Sequence, residues 1–365
     1  MKSAKLLLSG FAASAFLGLS PSVLAEGREP GSLLIFPEFD NRAGDVTMFT
    51  VTNTNTDDTY DEDTDLPVGT IEVHFIYIGR RDANGNPINC LEVDRDIVLT
   101  PGDTFTFLTR AHNPQQNQGF MYAYAQDPRT HEPVRFNWLI GNALFISGID
   151  AIDYSTNPVS LEGLCENHDQ TGGLGGAPGE CETTDHDGDG NRDLDGREYE
   201  ELPDKILIPR FLAKTAALRS ELVFLGLSGG AAFDTVANLL IYNDNEEVFS
   251  AQYQFRCWAR VGLDDVSQAF TNSFLQTTNH AANEPLGATS RESGWTEIDG
   301  DVAFSTVEQI LDPAVYAVLI ERVTRGSGAA DLPFECGRQC NGTLWPNGPL
   351  GDDGLDGDEC GVAVR

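Results

Sequence analysis

Short apolar segments alternate with turn-forming residues along the whole chain. Within "TIEVHFIYI" the side chains of Ile71, Val73, Phe75 and Tyr77 fall on one face, and Glu72 is on the other. This period of two predicts a β-strand with one buried face. Other segments rich in β-branched and aromatic residues predict further strands: "SLLIFPEF", "VTMFTVTN", "DRDIVLTPGDTFTFLT", "GFMYAYAQ" and "VRFNWLIGNALFI".

Turn signals separate these segments, and helical periodicity is scarce. "LTPGDTF" places Pro-Gly between two apolar runs, and "DANGNP" places Asn-Gly between two others. Such pairs favour tight connections between antiparallel strands. The pattern therefore predicts an all-β protein.

The second half of the chain resembles the first. "LLIFPEF" at Leu33 resembles "ILIPRFL" at Ile206, and Cys90 and Cys257 each precede a further strand segment at a nearly constant spacing. A repeat of this length predicts two tandem β-sandwich domains, Ig-like or jelly-roll-like in type. The expected divisions are a first domain at 30–155, a Gly- and Asp-rich linker at 156–202, a second domain at 203–330 and a Cys-containing acidic tail at 331–365.

The first 25 residues resemble a secretory signal peptide. Two lysines precede an apolar run from Leu6 to Leu19, and small residues lead up to Ala25. The run contains Ser and Gly and is shorter than the roughly 20 apolar residues of a membrane-spanning helix. We therefore expect cleavage near Ala25 and a secreted, extracellular or periplasmic chain without membrane insertion.

The formal net charge of −34 limits the partners. Nucleic acids and anionic lipids bind through Lys and Arg, so such an acidic chain disfavours both. Divalent cations are attracted to it instead. The sequence therefore predicts calcium, and an extracellular protein or polysaccharide, as partners.

Seven cysteines in an exported chain predict disulfide bonds and one remaining thiol. The pairing does not follow from the sequence. Cys165 and Cys181 flank a short Gly-rich loop, and a second local pair is expected among the cysteines of the tail. "CGRQC" lacks a second Cys or His pair at zinc-finger spacing, which disfavours zinc. The seven are Cys90, Cys165, Cys181, Cys257, Cys336, Cys340 and Cys360.

The stretch "DHDGDGNRDLDGREYEE" between the two repeats carries the strongest candidate site. Calcium prefers six to eight oxygen ligands from alternate positions of a flexible loop. Counted from Asp187, the loop at 187–198 resembles that of an EF-hand, except that Arg192 replaces the usual Gly at position 6. The resemblance implies Ca²⁺ held by the side chains of Asp187, Asp189 and Asn191, the Asp193 carbonyl and a bidentate Glu198.

Two alternatives to this register remain open. Counted from Asp185, the stretch is similar to the D-x-D-x-D-G loops of dockerin-like and thrombospondin-type-3 proteins, but Gly196 then occupies position 12. An acidic linker that binds cations only diffusely is the other alternative. In the Asp187 register, Glu198 would draw the second domain toward the loop, so the metal would restrain the angle between the two domains.

"GLSGG" matches the G-x-S-x-G pattern of a hydrolase nucleophile at Ser228, and Asp264 or Asp265 and then His280 follow in the order of a catalytic triad. The surrounding chain lacks the alternating strands and helices of that fold, which favours a glycine-rich turn. His74 and His112 have no metal partners at helical spacing.

The sequence therefore predicts a calcium-binding protein without catalytic activity, with a structural, adhesive or ligand-recognition role. Two alternatives are a secreted serine hydrolase and an extracellular carbohydrate-binding module. The second would use the indole rings of Trp258, Trp295 and Trp345. Trp138 lies in a continuous apolar segment and is expected in a core.

Overall fold

The computed structural model describes residues 29–62, 65–148, 152–163, 199, 205–227, 233–243, 246–278, 292–305, 315–323, 330–331 and 334–336. These ranges consist mainly of antiparallel β-strands, so the all-β prediction is confirmed. None of the helices within them is long and apolar enough to cross a membrane.

The described residues of the first half form eleven strands and one helical turn. Both turn predictions are confirmed, because Gly85 between β5 and β6 and Gly102 between β6 and β7 have positive φ. The elements are β1 (Leu33–Asp40), β2 (Asp45–Asn53), β3 (Tyr60–Asp61), β4 (Leu66–Pro67), β5 (Ile71–Asp82), β6 (Pro87–Leu99), β7 (Thr104–Leu108), α1 (Thr109–His112), β8 (Gln116–Gln126), β9 (Leu139–Ser147), β10 (Ile152–Thr156) and β11 (Val159–Leu161).

The second half has nine strands in its described ranges, with short helical turns between β16 and β17. Its elements are β12 (Lys205–Leu212), β13 (Leu218–Gly226), β14 (Phe233–Asn243), β15 (Val248–Phe255), β16 (Trp258–Gly262), α2 (Leu263–Val266), a 3₁₀ turn (Gln268–Phe270), α3 (Asn272–Leu275), β17 (Ser293–Ser305), β18 (Val315–Val323), β19 (Ala330–Asp331) and β20 (Phe334–Cys336).

The two halves have the same sheet topology. The first half forms a five-stranded sheet in the order β11-β1-β8-β5-β6 and a four-stranded sheet in the order β10-β9-β2-β7. The second half forms β20-β12-β17-β14-β15 and β19-β18-β13-β16, which are the same orders strand for strand. The edge strands β11 and β20 lie beyond the limits 30–155 and 203–330 expected from the sequence.

A shared irregularity fixes the register of the repeat. The pairing of β1 with β8 shifts between Phe36 and Phe39, and the pairing of β12 with β17 shifts between Ile208 and Phe211. A proline lies inside each bulge, where a ladder hydrogen bond is not needed. Leu33 therefore corresponds to Lys205, one residue away from the match that the sequence segments suggest.

A glycine opposite each bulge confirms the correspondence. A Cβ at Gly119 would overlap the Ile78 carbonyl oxygen, and one at Gly294 would overlap the Tyr242 carbonyl oxygen. The ring of the phenylalanine after each bulge, Phe39 or Phe211, lies against the same glycine. The two halves thus share a local packing device as well as a strand order.

The first half encloses its own core between its two sheets. Ile71, Val73, Phe75 and Tyr77 of β5 all belong to it, as their alternation predicts. Trp138 packs at its margin. The opposite face of β5 is also covered in part, since Ile78 belongs to a second core that continues into the second half.

This second core places the halves against one another. β1 contacts β13 and β8 contacts β16, so the outer face of the second half's four-stranded sheet lies on the outer face of the first half's five-stranded sheet. The Trp258 indole donates to the Pro37 carbonyl at 3.1 Å, and the Tyr122 hydroxyl donates to the Leu227 carbonyl at 3.3 Å. These contacts hold the two halves against one another.

A disulfide joins Cys90 to Cys257 across the interface, with 6.1 Å between the Cα atoms. The two cysteines are not equivalent in the repeat, because Cys90 lies within β6 whereas Cys257 follows β15, the counterpart of β6. The match of Cys90 with Cys257 in the sequence repeat is therefore wrong by position, although the spacing of the halves is similar. The expected Cys165–Cys181 bond lies outside the described residues.

Candidate functional site

A cleft of about 500 Å³ opens where the two halves meet, and arginine dominates its wall. Its volume falls within the roughly 300–1,000 Å³ of small-molecule sites, but most such sites are apolar. The concentration of arginines in this cleft is unusual for a chain of 57 acidic and 23 basic residues. The arginines are Arg42, Arg80, Arg81, Arg219, Arg256, Arg260 and Arg322.

The first half contributes one wall. Arg80 and Arg81 lie near the end of β5, at the irregularity where its pairing with β6 and β8 shifts. Arg42 follows β1, and Gln118 lies on β8 opposite the end of β1. Gln118 donates to Asp40 Oδ2 at 2.8 Å, and Arg42 Nη2 pairs with the same oxygen at 2.6 Å.

The second half contributes a cross-strand arginine cluster around Glu221 of β13. Arg322 Nη1 lies 2.7 Å from Glu221 Oε1, and Arg260 Nε lies 3.0 Å from Glu221 Oε2. Arg219, on the same face of β13, contacts Asp264 and Asp265 of α2. Residues on one face of adjacent strands lie close together, so the antiparallel pairing of β16, β13 and β18 assembles this cluster.

Arg260 also connects the halves. Its Nη1 lies 3.1 Å from Glu38 Oε1 of β1, and the Tyr154 hydroxyl donates to Glu38 Oε2 at 2.5 Å. Burial raises the pKa of Glu38, and Arg260 opposes that rise. Burial acts to lower the pKa of Arg260, but Glu38, Tyr154 and Glu221 together raise it, so the guanidinium stays charged.

Part of this positive charge has no carboxylate partner within the described part of the chain. Arg80 has no ion pair among the described residues, and Arg81 donates only to the Gly85 carbonyl, at 2.9 Å. Arg260 Nη2 is buried without a hydrogen-bond partner in the described part of the protein. A buried guanidinium nitrogen left unbonded costs free energy that an anionic ligand would recover.

The cleft is held rigidly. Cys257 lies between Arg256 and Trp258, so the disulfide anchors this wall of the cleft to β6 of the first half. Arg256 pairs with Asp234 at 2.6 Å, and Tyr253 stacks on Phe224 with 5.6 Å between ring centroids. The guanidinium groups are therefore positioned before any ligand arrives.

The residues proposed from the sequence as calcium ligands, Asp187, Asp189, Asn191, Asp193 and Glu198, lie outside the described residues. Within the described ranges, no group of three His, Cys, Asp or Glu side chains is placed to hold a metal. The calcium site remains a prediction.

The residues considered for a hydrolase do not form a described site. Ser228 and His280 lie outside the described residues, and Asp264 and Asp265 pair with Arg219. His74 bonds to Asp96 across β5 and β6, and His112 Nδ1 lies 2.8 Å from the Tyr77 hydroxyl. Both histidines therefore have local partners in the sheet region.

The three tryptophans considered for a sugar platform are not brought together in the described structure. Trp258 is buried in the interface between the halves. Trp295 stacks on Tyr242 with 3.9 Å between ring centroids and does not line the cleft. Trp345 lies outside the described residues.

No protein-family model, curated protein or solved structure matches the chain. The cleft was missed by sequence reasoning because its arginines are dispersed along the chain. The available signal was their concentration in "GRR" at 79–81 and "RCWAR" at 256–260, in a sequence otherwise poor in cations.

Proposed function

We propose that this protein is an exported, non-catalytic recognition protein that binds an anionic ligand in the arginine cleft between its two halves. The observation that carries the proposal is the convergence of seven arginines on one cavity, with Arg80 and Arg81 free of carboxylate partners among the described residues. The proposed organisation is two tandem β-sandwiches, in which the cleft lies at their junction.

The chemistry of the lining defines the ligand class. Guanidinium groups bind carboxylate, phosphate and sulfate through paired, charge-assisted hydrogen bonds. An overall charge of −34 repels anions from the rest of the surface, so the cleft is the favourable place for them. A uronate or sulfated unit of an extracellular polysaccharide fits this class, and Tyr253 offers an aromatic ring beside the charges.

The proposed calcium loop is compatible with this role. It would stabilise the connection between the halves. Calcium binding and anion binding are therefore separate properties with separate tests.

Calorimetry with oligogalacturonate, inorganic sulfate and neutral galactose tests the proposal. We expect binding of the anions, weakening with added salt because screening reduces charge attraction, and no binding of galactose. Arg80→Gln with Arg81→Gln should weaken anion binding roughly 10- to 100-fold, the usual range for lost hydrogen bonds to charged groups.

Arg129→Gln is the matched control. Arg129 is exposed, pairs with Asp127 at 3.1 Å and is not part of the cleft lining. Its substitution should leave the affinity unchanged. Equal affinity loss in both variants, or no anion binding by the parent protein at low salt, would contradict the proposal.

A further inference from the structure

An aromatic pair lies on the outer face of the second half's five-stranded sheet. Tyr242 of β14 is directly opposite Trp295 of β17, whereas the adjacent pair in the ladder, Ile241 with Thr296, is fully buried. Since successive side chains of a strand point to opposite faces, both rings lie on the face turned away from the core. The two rings are partly buried and parallel within 2°, with 3.9 Å between their centroids. Val248 of β15 is opposite Tyr242 and 54% exposed, so it extends this apolar row to the edge of the sheet.

Polar side chains follow the aromatic pair on the same face. Glu297 is opposite Leu240 in the next row, and its carboxylate lies 2.9 Å from the Lys205 ammonium of β12. In the row after that, Gln252 of β15 donates to the Asn238 side chain at 2.7 Å. These side chains are held in place by their strands and by one another, so the face offers fixed ammonium, carboxylate and amide groups beside the rings.

The charged pair lies within electrostatic reach of the tyrosine. Burial and the Glu297 carboxylate raise the pKa of Tyr242, and Lys205 opposes that rise. The phenol therefore stays protonated at neutral pH, and its hydroxyl group both donates and accepts hydrogen bonds. A ligand that packs against the aromatic pair meets this hydroxyl and the charged pair at its edge.

The combination of aromatic rings and polar rows matches the two kinds of surface of a sugar. A pyranose with equatorial hydroxyl groups has apolar C–H faces and carries its hydroxyl groups around its edge. Aromatic side chains supply a flat apolar surface for such a face, and a few fixed polar groups supply orientation. An open sheet face accommodates an extended chain of sugars, whereas a cavity encloses one unit.

The charges on this face favour a neutral sugar. Two carboxylates, Glu297 and Asp299, share the Lys205 ammonium at 2.9 and 3.9 Å. The resulting excess of negative charge repels uronates and sulfated sugars. This face therefore differs in its chemistry from the arginine cleft.

We propose that the outer face around Tyr242 and Trp295 binds a neutral, β-linked glycan chain with equatorial hydroxyl groups, of the glucan or xylan class. One sugar ring packs against the aromatic pair, and its neighbours bond to the polar rows. The site is separate from the arginine cleft, whose lining includes neither ring, and it stands independently of anion binding there. A single galactose unit covers too little of this face to bind measurably, so it remains a valid control for the cleft.

Calorimetry of the intact protein with cellohexaose and xylohexaose tests the proposal. We expect binding that added salt leaves unchanged, because screening does not affect a neutral ligand. Tyr242→Leu and Trp295→Leu keep apolar bulk but remove a ring, and each should weaken the affinity about 10-fold. Trp295→Phe keeps an aromatic ring and should lose less. Denaturant unfolding of each variant establishes that it is folded.

Tyr60→Leu is the matched control, because Tyr60 is an exposed ring on β3 of the first half, at 57% exposure. Its affinity for the glycans should equal that of the parent. Arg80→Gln with Arg81→Gln should also leave glycan binding unchanged, and Trp295→Leu should leave sulfate binding unchanged, so the failure of one site is distinguishable from the failure of the other.

Three results would overturn the proposal. The first is the absence of binding of both hexasaccharides by the parent protein up to about 1 mM. The second is an equal loss of affinity in Tyr60→Leu. The third is unchanged affinity in folded Tyr242→Leu and Trp295→Leu.

Discussion

The Cys90–Cys257 bond should make the largest single contribution to stability among the described cross-links. It spans 167 residues of sequence. In the chain-entropy model, closing a loop of that length lowers the conformational entropy of the unfolded chain, which stabilises the folded state by about 5 kcal/mol at 25 °C. Whole domains are stable by about 5–15 kcal/mol, so the loss would be a large fraction of the total.

Part of this gain is offset in the folded state. Cys90 and Cys257 have φ of 47° and 58°, a left-handed conformation that is unfavourable for residues other than glycine. Alanine at both positions keeps that backbone cost and removes only the cross-link and the sulfur atoms. We therefore expect Cys90→Ala with Cys257→Ala to lower the free energy of unfolding by about 3 to 5 kcal/mol.

Denaturant unfolding followed by tryptophan fluorescence measures this change. The slope of the transition should also rise in the double variant, because an unfolded chain without the cross-link exposes more surface. Reduction of the parent protein should give a similar loss of stability. Reduction of the double variant is the control for the cysteines outside the described residues.

Peptide mapping of the unreduced protein supplies an independent check. It should recover the peptides of Cys90 and Cys257 as one linked species. Two free thiols at these positions, or an unchanged unfolding midpoint in the double variant, would refute the reasoning.

Two further predictions concern pH and calcium. Burial, with a smaller contribution from Arg95, lowers the pKa of His112 from 6.5 to about 4, so stability present above pH 6.5 should be lost as the pH falls toward 4. Solvent screening of this half-buried ring limits the loss of stability to about 1–2 kcal/mol. His112→Phe should flatten the dependence of the free energy of unfolding on pH, measured by denaturant unfolding. An equally steep dependence in the variant would exclude His112 as the source. For calcium, Glu198→Gln should weaken binding measured by calorimetry far more than Asp185→Asn if the loop starts at Asp187, whereas the reverse order would move the site to the other register.

The sequence by itself determined the all-β class and the presence of a repeat. The alternation at Ile71, Val73, Phe75 and Tyr77 is a local property, because successive side chains of any strand point to opposite faces. It predicted the buried face of β5 correctly. The repeat was visible for the same reason, because two halves with the same strand order have similar apolar segments in the same order.

The register of the repeat needed the tertiary structure. The bulges at Pro37 and Pro209 shift the pairing, and a one-residue error exchanges the two faces of a strand. Both segments contain apolar residues at neighbouring positions, so the sequences fit either register. The contacts of Phe39 with Gly119 and of Phe211 with Gly294 fit one register only.

The arginine cleft and the disulfide were decided by tertiary packing alone. Arg80 and Arg322 meet at one cavity although most of the chain separates them, and Cys90 and Cys257 meet across 167 residues. Strand patterning specifies which face of each strand is buried, but it does not specify which sheets stack on one another. Which sheets stack depends on the total apolar area that their faces bury against one another. The local spacing of residues in the sequence does not specify that area.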